Sequence, residues 1–460
     1  MVFRFPREKE LTFTELDKFI GRHRQEVSER YEKMKNAYEG KHEILNLPKK
    51  AAHKPDNRIV VNFPKYIVDT FNGFFIGNPI KVTADEENIS EFVEFLDQYN
   101  DQDDNNAELS KICSIYGHGF EMYYLDDEQN LCMTYLNPME AFMIYDESIV
   151  QKPLYFVRRY TDYEGNEYGS ISDDKTVRHF QITGGLQWTD EPQLHYFGDV
   201  PATEYLENEE RLGAFEPVMS QINAFNKAIS EKANDVDYFA DAYLKVLGAS
   251  LDEEDTLHIR ENRIINFVGE GDGGVTVDFM NKPESDTTQE NLLNRLEMYI
   301  FLIGMVANVS DENFGVQSGI ALQYKVLAMR NLAKTKERKF TSGMNRRYKL
   351  LFNHPRSKVN KDDWIKLKYQ FTLNIPSNIL EEADIAAKME GIVSKETQLK
   401  VLSVIDNVKE ELERMEEEAQ KAQEQAMQQA MTFGAIAAES EEPGEPLENP
   451  EELEEEQLNG

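Results

Sequence analysis

Apolar residues along this chain keep two rhythms, and the rhythm switches at identifiable places. Ile20, Val27, Tyr31, Met34 and Tyr38 recur at steps of three, four and seven, which predicts a first helix closed by Gly40. A basic loop follows at 47–58, with Lys49, Lys50, His53, Lys54 and Arg58. Residues 59–62 read as a short strand. A helix then starts at Pro64, where a missing N–H does no harm, and stops at Gly73 and the Gly77-Asn78-Pro79 turn. A strand at 80–83 and helices near 89–99 and 107–116 come next. From 120 to about 205 the period becomes two. FEMYYL, LCMTYL, AFMIYD, PLYFVRRYT, VRHFQIT and QLHYFG are separated by turn clusters such as Asp126-Asp127, Glu164-Gly165-Asn166 and Gly184-Gly185, which predicts an antiparallel β region.

After a linker at 201–213 the helical rhythm returns. Phe215, Val218, Ile222, Phe225, Ile229, Val236, Tyr243 and Leu247 keep it over 33 residues, a helix about 50 Å long. Its other face carries Glu231, Asp235, Asp237 and Asp241. Residues 248–285 form a small α+β insert with strands RIINFV and VTVDFM. Leu292, Leu293, Leu296, Ile300, Ile303 and Ala307 then define an apolar stripe on a returning helix, with Asp286 and Gln289 spaced to cap its start. A polar loop at 309–319, broken by Gly315 and Gly319, leads to a long helix at 320–352. A strand at 364–373 and helices at 379–389, 395–404 and 408–431 complete the expected α+β chain, and the Glu- and Pro-rich end from about 433 is expected to be disordered.

At 460 residues, with 40% hydrophobic and 11% aromatic positions, the chain can build two to four structural units with true cores. Its net charge of −35 is uneven. Residues 409–460 hold 17 Asp or Glu against three Lys or Arg, whereas residues 320–353 hold nine Lys or Arg against one Glu. The acidic total argues against general adhesion to nucleic acid or to an anionic membrane. Two cysteines, Cys113 and Cys132, make neither a disulfide framework nor a metal cluster and fit a reducing origin. No signal-peptide core is evident at the start. The longest apolar run has nine residues, 299–307, against the roughly 18 a spanning helix needs.

Catalytic patterns are lacking in the sequence. The eight histidines show no HExxH and no Cys/His ligand cluster. His118, between Gly117 and Gly119 and three positions before Glu121, reads as a turn histidine packed on a strand. The glycine run from Gly269 to Gly274 lacks the lysine of a phosphate loop and precedes a strand, so it reads as a hairpin turn. No catalytic residue, metal or cofactor is expected. Two other classes stay open at this level. A metal-dependent DNA-processing enzyme of a phage or mobile element would show Mg²⁺-dependent cleavage, and a monomeric acidic interaction scaffold would show a mass of 53.2 kDa in solution.

Four stretches carry a resemblance: DNRIVVNFPKYIVDTFNGFFIGNPI at 56–80, YGHGFEMYYLD at 116–126, EKANDVDYFADAYL at 231–244 and FGVQSGIALQYK at 314–325. A weaker fifth is GIVSKETQLKVL at 391–402, ahead of the acidic EELERMEEE at 410–418. Together they resemble the portal proteins of tailed bacteriophages, specifically the family typified by a long-tailed Bacillus phage. The resemblance implies a portal-type fold with a dodecameric ring at one capsid vertex of the virion. Double-stranded DNA would be packaged and ejected through that ring without sequence preference. It implies an N-terminal, β-rich wing at 1–210, stem helices at 211–247 and 286–308, and a clip at 248–285. A channel loop at 309–319, a further wing helix and strand at 320–376, and crown helices at 377–431 follow, with an acidic tail at 432–460 that matches no family motif.

The partners implied are further copies of this chain, the large subunit of the terminase motor, a head-completion adaptor, and major capsid and scaffolding proteins, with no membrane. The implied channel loop contains Asp311, Glu312, Asn313, Phe314, Gln317 and Ser318. The acids Glu231, Asp235, Asp237 and Asp241 would face the channel and keep the duplex central, since each phosphate held by a cation adds salt-dependent affinity. Arg263, Asn266, Gly269, Asp272 and Gly274 would lie on the docking face of the clip. Ile222, Phe225, Ile300 and Ile303 would pack the ring. The basic 320–353 helix would then face acidic surface of a neighbour or of the capsid.

Overall fold

The structure, a computed structural model, describes residues 2–51, 54–240, 244–247, 276–279, 286–308, 324, 326–375, 379–402, 404–405 and 408–439. It is a mixed helix-and-sheet protein, as the rhythms require, and divides into two units, Met1–Ile375 and Pro376–Gly460.

The first unit opens with one helical run made of α1 (Phe13–Glu26), a single π turn (Val27–Tyr31) and α2 (Glu32–Tyr38). Thr12 and Glu15 cap it reciprocally: Glu15 N donates to Thr12 Oγ1 at 3.3 Å, and Thr12 N donates to Glu15 Oε2 at 3.0 Å. Helix α3 (Phe63–Ile76) has Pro64 in its first turn and Asn62 as its cap. Strand β2 (Lys81–Thr83), α4 (Glu87–Tyr99) and α5 (Gln102–Tyr116) follow, α5 starting at Gln102 rather than near 107. It ends at Gly117 with φ +87°, where an added Cβ would stand 2.0 Å from the Arg211 carbonyl oxygen, so the turn into β3 needs glycine.

The β region forms two sheets. In the larger, β1 (Phe3–Arg4) pairs in parallel with β5 (Ala141–Tyr145), and β6 (Pro153–Thr161), β7 (Glu167–Ser172) and β8 (Thr176–Gln181) continue it antiparallel. The short β9 (Gln187–Trp188) and β10 (Gln193–Leu194) lie against β8. In the smaller, β3 (His118–Leu125) lies between β4 (Leu131–Leu136) and β11 (Ala202–Leu206). The main core joins α2 to α5 with the β3 sheet and three long helices: α6 (Met219–Ala240), α7 (Asp286–Gly304) and α8 (Leu327–Asn353).

Several boundaries differ from expectation, each for a physical reason. The helix expected to reach 247 does not: it is described as far as Ala240, and Leu244–Leu247 is instead β12, antiparallel to β13 (Thr276–Phe279) with Leu244 opposite Phe279. A four-residue segment such as Leu244-Lys245-Val246-Leu247 fits either period, and here a cross-strand partner decides. Helix α7 ends at Gly304, followed by Met305 at φ +55°. Residues 364–373 yield a 3₁₀ turn (Asp363–Lys366) and only a short β14 (Lys368–Gln370), paired with β2. Residues 59–62 form no strand.

The second unit contains α9 (Ile379–Lys388), α10 (Lys395–Leu399) and α11 (Val408–Glu439). Ser394 caps α10, and Gln398 Nε2 donates to the Ala386 carbonyl at 2.7 Å. The last helix continues past Met431 to Glu439, through a stretch expected to be disordered.

Candidate functional site

The candidate site is the antiparallel α6/α7 hairpin and what covers it. Lys232 of α6 pairs with Glu290 of α7, and Gln289 Nε2 donates to Asp235 Oδ2 at 2.8 Å. Gln289, spaced to cap its own helix, thus reaches across to the neighbouring one. At the other end Gly304 lies against Val218. Ile222, Phe225 and Ile300 are buried in this chain's own core, with Phe63 of α3 packed edge-on against Phe225 at 5.0 Å. They are therefore not surface for a neighbouring copy, contrary to expectation. Ile303 is exposed, and with Leu292, Met298, Tyr299 and Leu302 it forms an apolar outer face on α7.

The acidic side of α6 is partly clasped by the chain that sequence reasoning took for a basic loop and a strand. Asn57 N donates to Asn234 Oδ1 at 2.6 Å, Ile59 N to Ser230 Oγ at 2.9 Å and Val61 N to Asn226 Oδ1 at 2.9 Å. Alternate amides of an extended segment thus bond to side chains spaced four apart on one helix. Their donors are satisfied without a sheet. Lys50 Nζ contacts both Glu231 oxygens at 2.8 and 2.9 Å and holds that carboxyl below its usual range. Asn57 Nδ2 donates to Asp237 Oδ2 at 2.5 Å. Glu231, Asp235 and Asp237 thus all have partners within the chain. Asp241, the clip residues Arg263, Asn266, Gly269, Asp272 and Gly274, and the loop residues Asp311, Glu312, Asn313, Phe314, Gln317 and Ser318 lie outside the described residues.

The cations of α8 are not turned wholly outward. Lys336 is buried, 2.7 Å from Glu207 Oε2, and its Nζ donates to the Ser110 carbonyl at 2.9 Å and to Ser114 Oγ at 2.7 Å. Arg347 is buried against Glu121 at 2.8 Å and Asn106 at 2.7 Å. Glu121 also accepts from the hydroxyls of Tyr123 at 2.8 Å and Tyr205 at 3.1 Å. Arg346 pairs with Asp199 at 2.9 Å, and Lys339 with Glu209. The expectation that this basic helix faces a neighbour or the capsid is corrected for these four cations: they meet carboxylates of their own chain. Gly343 allows the helix to close down, since a Cβ there would stand 2.5 Å from the Tyr205 ring.

His118 opens β3 and is buried. Its Nδ1 lies 2.7 Å from Glu204 Oε1 and its Nε2 lies 2.8 Å from the Tyr31 hydroxyl. Burial opposes charge on Glu204, but Arg211, at 2.8 Å from both oxygens, and His118 hold its carboxyl well below the usual range. The adjoining cavity, lined also by His23 and Tyr145, measures about 10 Å³, room for a water-sized body and not for a substrate. Among the described residues no group of His, Cys, Asp or Glu is arranged to hold a metal ion, and no helix is long and apolar enough to cross a membrane.

A family model described as phage portal protein, SPP1 Gp6-like, matches residues 17–425. That is most of the chain, so the chain belongs to this family of phage portal proteins, the head-to-tail connectors. A portal protein of Clostridium phage phiCD119 is 24% identical over 411 residues, covering 82% of this chain and 89% of that one. The portal protein of Bacillus phage SPP1 is 22% identical over 388 residues, covering 79% and 76%. A solved structure titled "Neck of empty GTA particle computed with C6 symmetry" aligns with 74% of this chain and 89% of its own at 10% identity and a TM-score of 0.42, a likeness that adds nothing to the assignment.

Proposed function

We propose that copies of this chain close into a ring at one capsid vertex, and that double-stranded DNA passes through it during packaging and ejection. The observation that carries the ring is the outer face of α7. Met298, Tyr299, Leu302 and Ile303 stand in solvent on one helix of the isolated chain, with Leu292 exposed beyond Asn294 and Arg295, and exposed apolar side chains grouped in this way mark a partner site. In this reading α6 and α7 are the stem, 248–285 is the clip that docks the terminase motor and later the adaptor, and 309–319 is the loop that touches the duplex. The wing comprises the two sheets with α8, and α9 to α11 are the crown. A dodecamer is the subunit number this reading takes.

A conduit must not grip its cargo. The net charge of −35 and a loop without Lys or Arg suit weak, sequence-independent contact. The test places charge there. Asn313→Lys with Gln317→Lys adds two cations per copy, and we expect steeper DNA retention at low salt and stalled packaging, with ring formation and motor docking unchanged. Packaging at the normal rate with unchanged retention places the loop outside the channel.

A further inference from the structure

Along α11 the apolar and small residues keep a strict repeat of seven. Val408, Leu412, Met415, Ala419, Ala422 and Ala426 follow one another at steps of four, three, four, three and four. The sequence holds the same steps to Gln429, Phe433 and Ile436. Such a repeat, sustained over about four heptads, marks a helix that packs along its length on another helix. Charge follows the same division. From Ala419 to Ala438 the charged residues are Lys421 and Glu424, both off this row, and residues 425–438 carry no charge in a chain that is 29% charged.

The start of the row is used within the chain. Val408, Leu412 and Met415 are half-buried, and α11 contacts α10. From Glu416 to Met427 every residue is exposed. Neither of the other two helices of the second unit is long enough to follow the row. Helix α11 has 32 residues, about 48 Å, against ten in α9 and five in α10. The sequence after Glu439 does not supply a partner either: Ser440 and Pro443 stand where the heptad would continue, and residues 440–460 hold nine Glu and no Lys or Arg. A lone helix exposed on all sides is marginal in water and draws its stability from packing.

The occupant that fits is a second α11. Its heptads match in length, and Ala at 419, 422 and 426 lets two helix axes approach to about 8 Å. In a ring every copy of α11 points the same way, so neighbours are parallel and in register, and their uncharged halves meet. The antiparallel arrangement would set that half against the acidic first half of the other helix. The same acidic half keeps α11 off an anionic lipid surface.

We propose that α11 forms a parallel coiled coil with α11 of the adjacent copies, through the row that continues from Ala419. The proposal rests on the ring reading. Hydrogen exchange on the purified full chain tests it, since no other protein is then present to cover the helix. The amides of 416–427 are expected to exchange about tenfold or more slowly in the ring than in a ring-less chain carrying Tyr299→Asp with Leu302→Asp. Within the ring, Ala422→Glu with Ala426→Glu is expected to abolish that protection. Gln420→Glu with Met427→Glu, which adds the same charge off the row, is expected to keep it, and these two pairs decide where the Tyr299 and Leu302 variant retains its ring. Equal exchange in ring and ring-less chains, or equal effects of the two α11 pairs, overturns the proposal. A wild-type chain that is monomeric by native mass fails the ring reading, and this proposal with it.

Discussion

Arg347 and Glu121 lie 2.8 Å apart, Nε to Oε2, with side chains 0% and 1% exposed, although 226 positions separate them in the chain. The pair ties α8 to β3 at the centre of the first unit. Taking both charges out of water is costly, and the contacts from Asn106, Gln102, Tyr123 and Tyr205 to the same two groups offset that cost. Removing one partner leaves the other buried and unpaired. Arg347→Ala is therefore expected to destabilise the chain by about 3–5 kcal/mol, read as a lower denaturant midpoint. Arg347→Met combined with Glu121→Leu is expected to cost much less. Equal losses in the single and double variants would contradict this account.

The strap over α6 gives a separate test. Asn226, Ser230 and Asn234 satisfy the amides of Val61, Ile59 and Asn57. Each replaced by Ala should cost about 1–3 kcal/mol if the amide is left buried without an acceptor. Amide exchange at 57–61 should quicken in the triple variant while exchange in β6 and β7 stays slow. Uniform acceleration would show that the strap is not a local unit.

Much of this was legible in the sequence, and the parts that were not share a cause. The existence of the helices of the first unit up to α5 follows from their three-four rhythm and from Pro64 and Gly40, although α1 starts at Phe13 and α5 at Gln102, earlier than the rhythm alone placed them. The strap was misread because the β-branched run Ile59-Val60-Val61 has the make-up of a strand, while its partner, the small polar row Asn226, Ser230 and Asn234, lies far along the chain. The fate of the α8 cations was readable in part. Met329, Ala333, Lys336, Phe340, Met344, Arg347 and Leu351 form one row at three-four spacing, and all are buried. A cation within an apolar row calls for a carboxylate partner. What the sequence withheld was which carboxylate, since Glu121 and Glu207 stand out in no local pattern. The apolar row on α7 was seen, but periodicity alone did not separate Ile300, buried inside, from Ile303, exposed outside.

That separation makes a prediction about assembly. Tyr299→Asp with Leu302→Asp alters exposed positions and should leave the circular dichroism spectrum intact while abolishing the ring. Ile300→Asp buries an unpaired carboxylate and should unfold the chain instead. Rings that survive the first pair would remove α7 from the contact between copies.

Acid should weaken the fold in a defined window. Burial pushes the His23 pKa from 6.5 down to about 3, so the ring is neutral in the folded state. Its contribution is whole above about 6.5 and is lost progressively as pH falls toward 3. Glu204, held well below the usual range against its burial by Arg211 and His118, acts in the same direction lower down: its contribution is present above the ordinary carboxylate range and is lost on further acidification. His23 packs at 4.6 Å against Phe142 with the rings tilted, and its Nε2 donates to the Pro138 carbonyl at 2.8 Å. His23→Phe should therefore cost about 1–3 kcal/mol near pH 7, where that carbonyl loses its donor, and should flatten the fall in stability between about pH 7 and about pH 4. An unchanged slope would mean that His23 does not carry the titration.

The central claim is that this chain works as a ring. Native mass spectrometry of the purified protein tests it most directly. The account predicts one discrete species at a fixed multiple of the 53.2 kDa chain, stable on dilution. A single species at 53.2 kDa at every concentration would contradict it, because one copy cannot enclose a duplex.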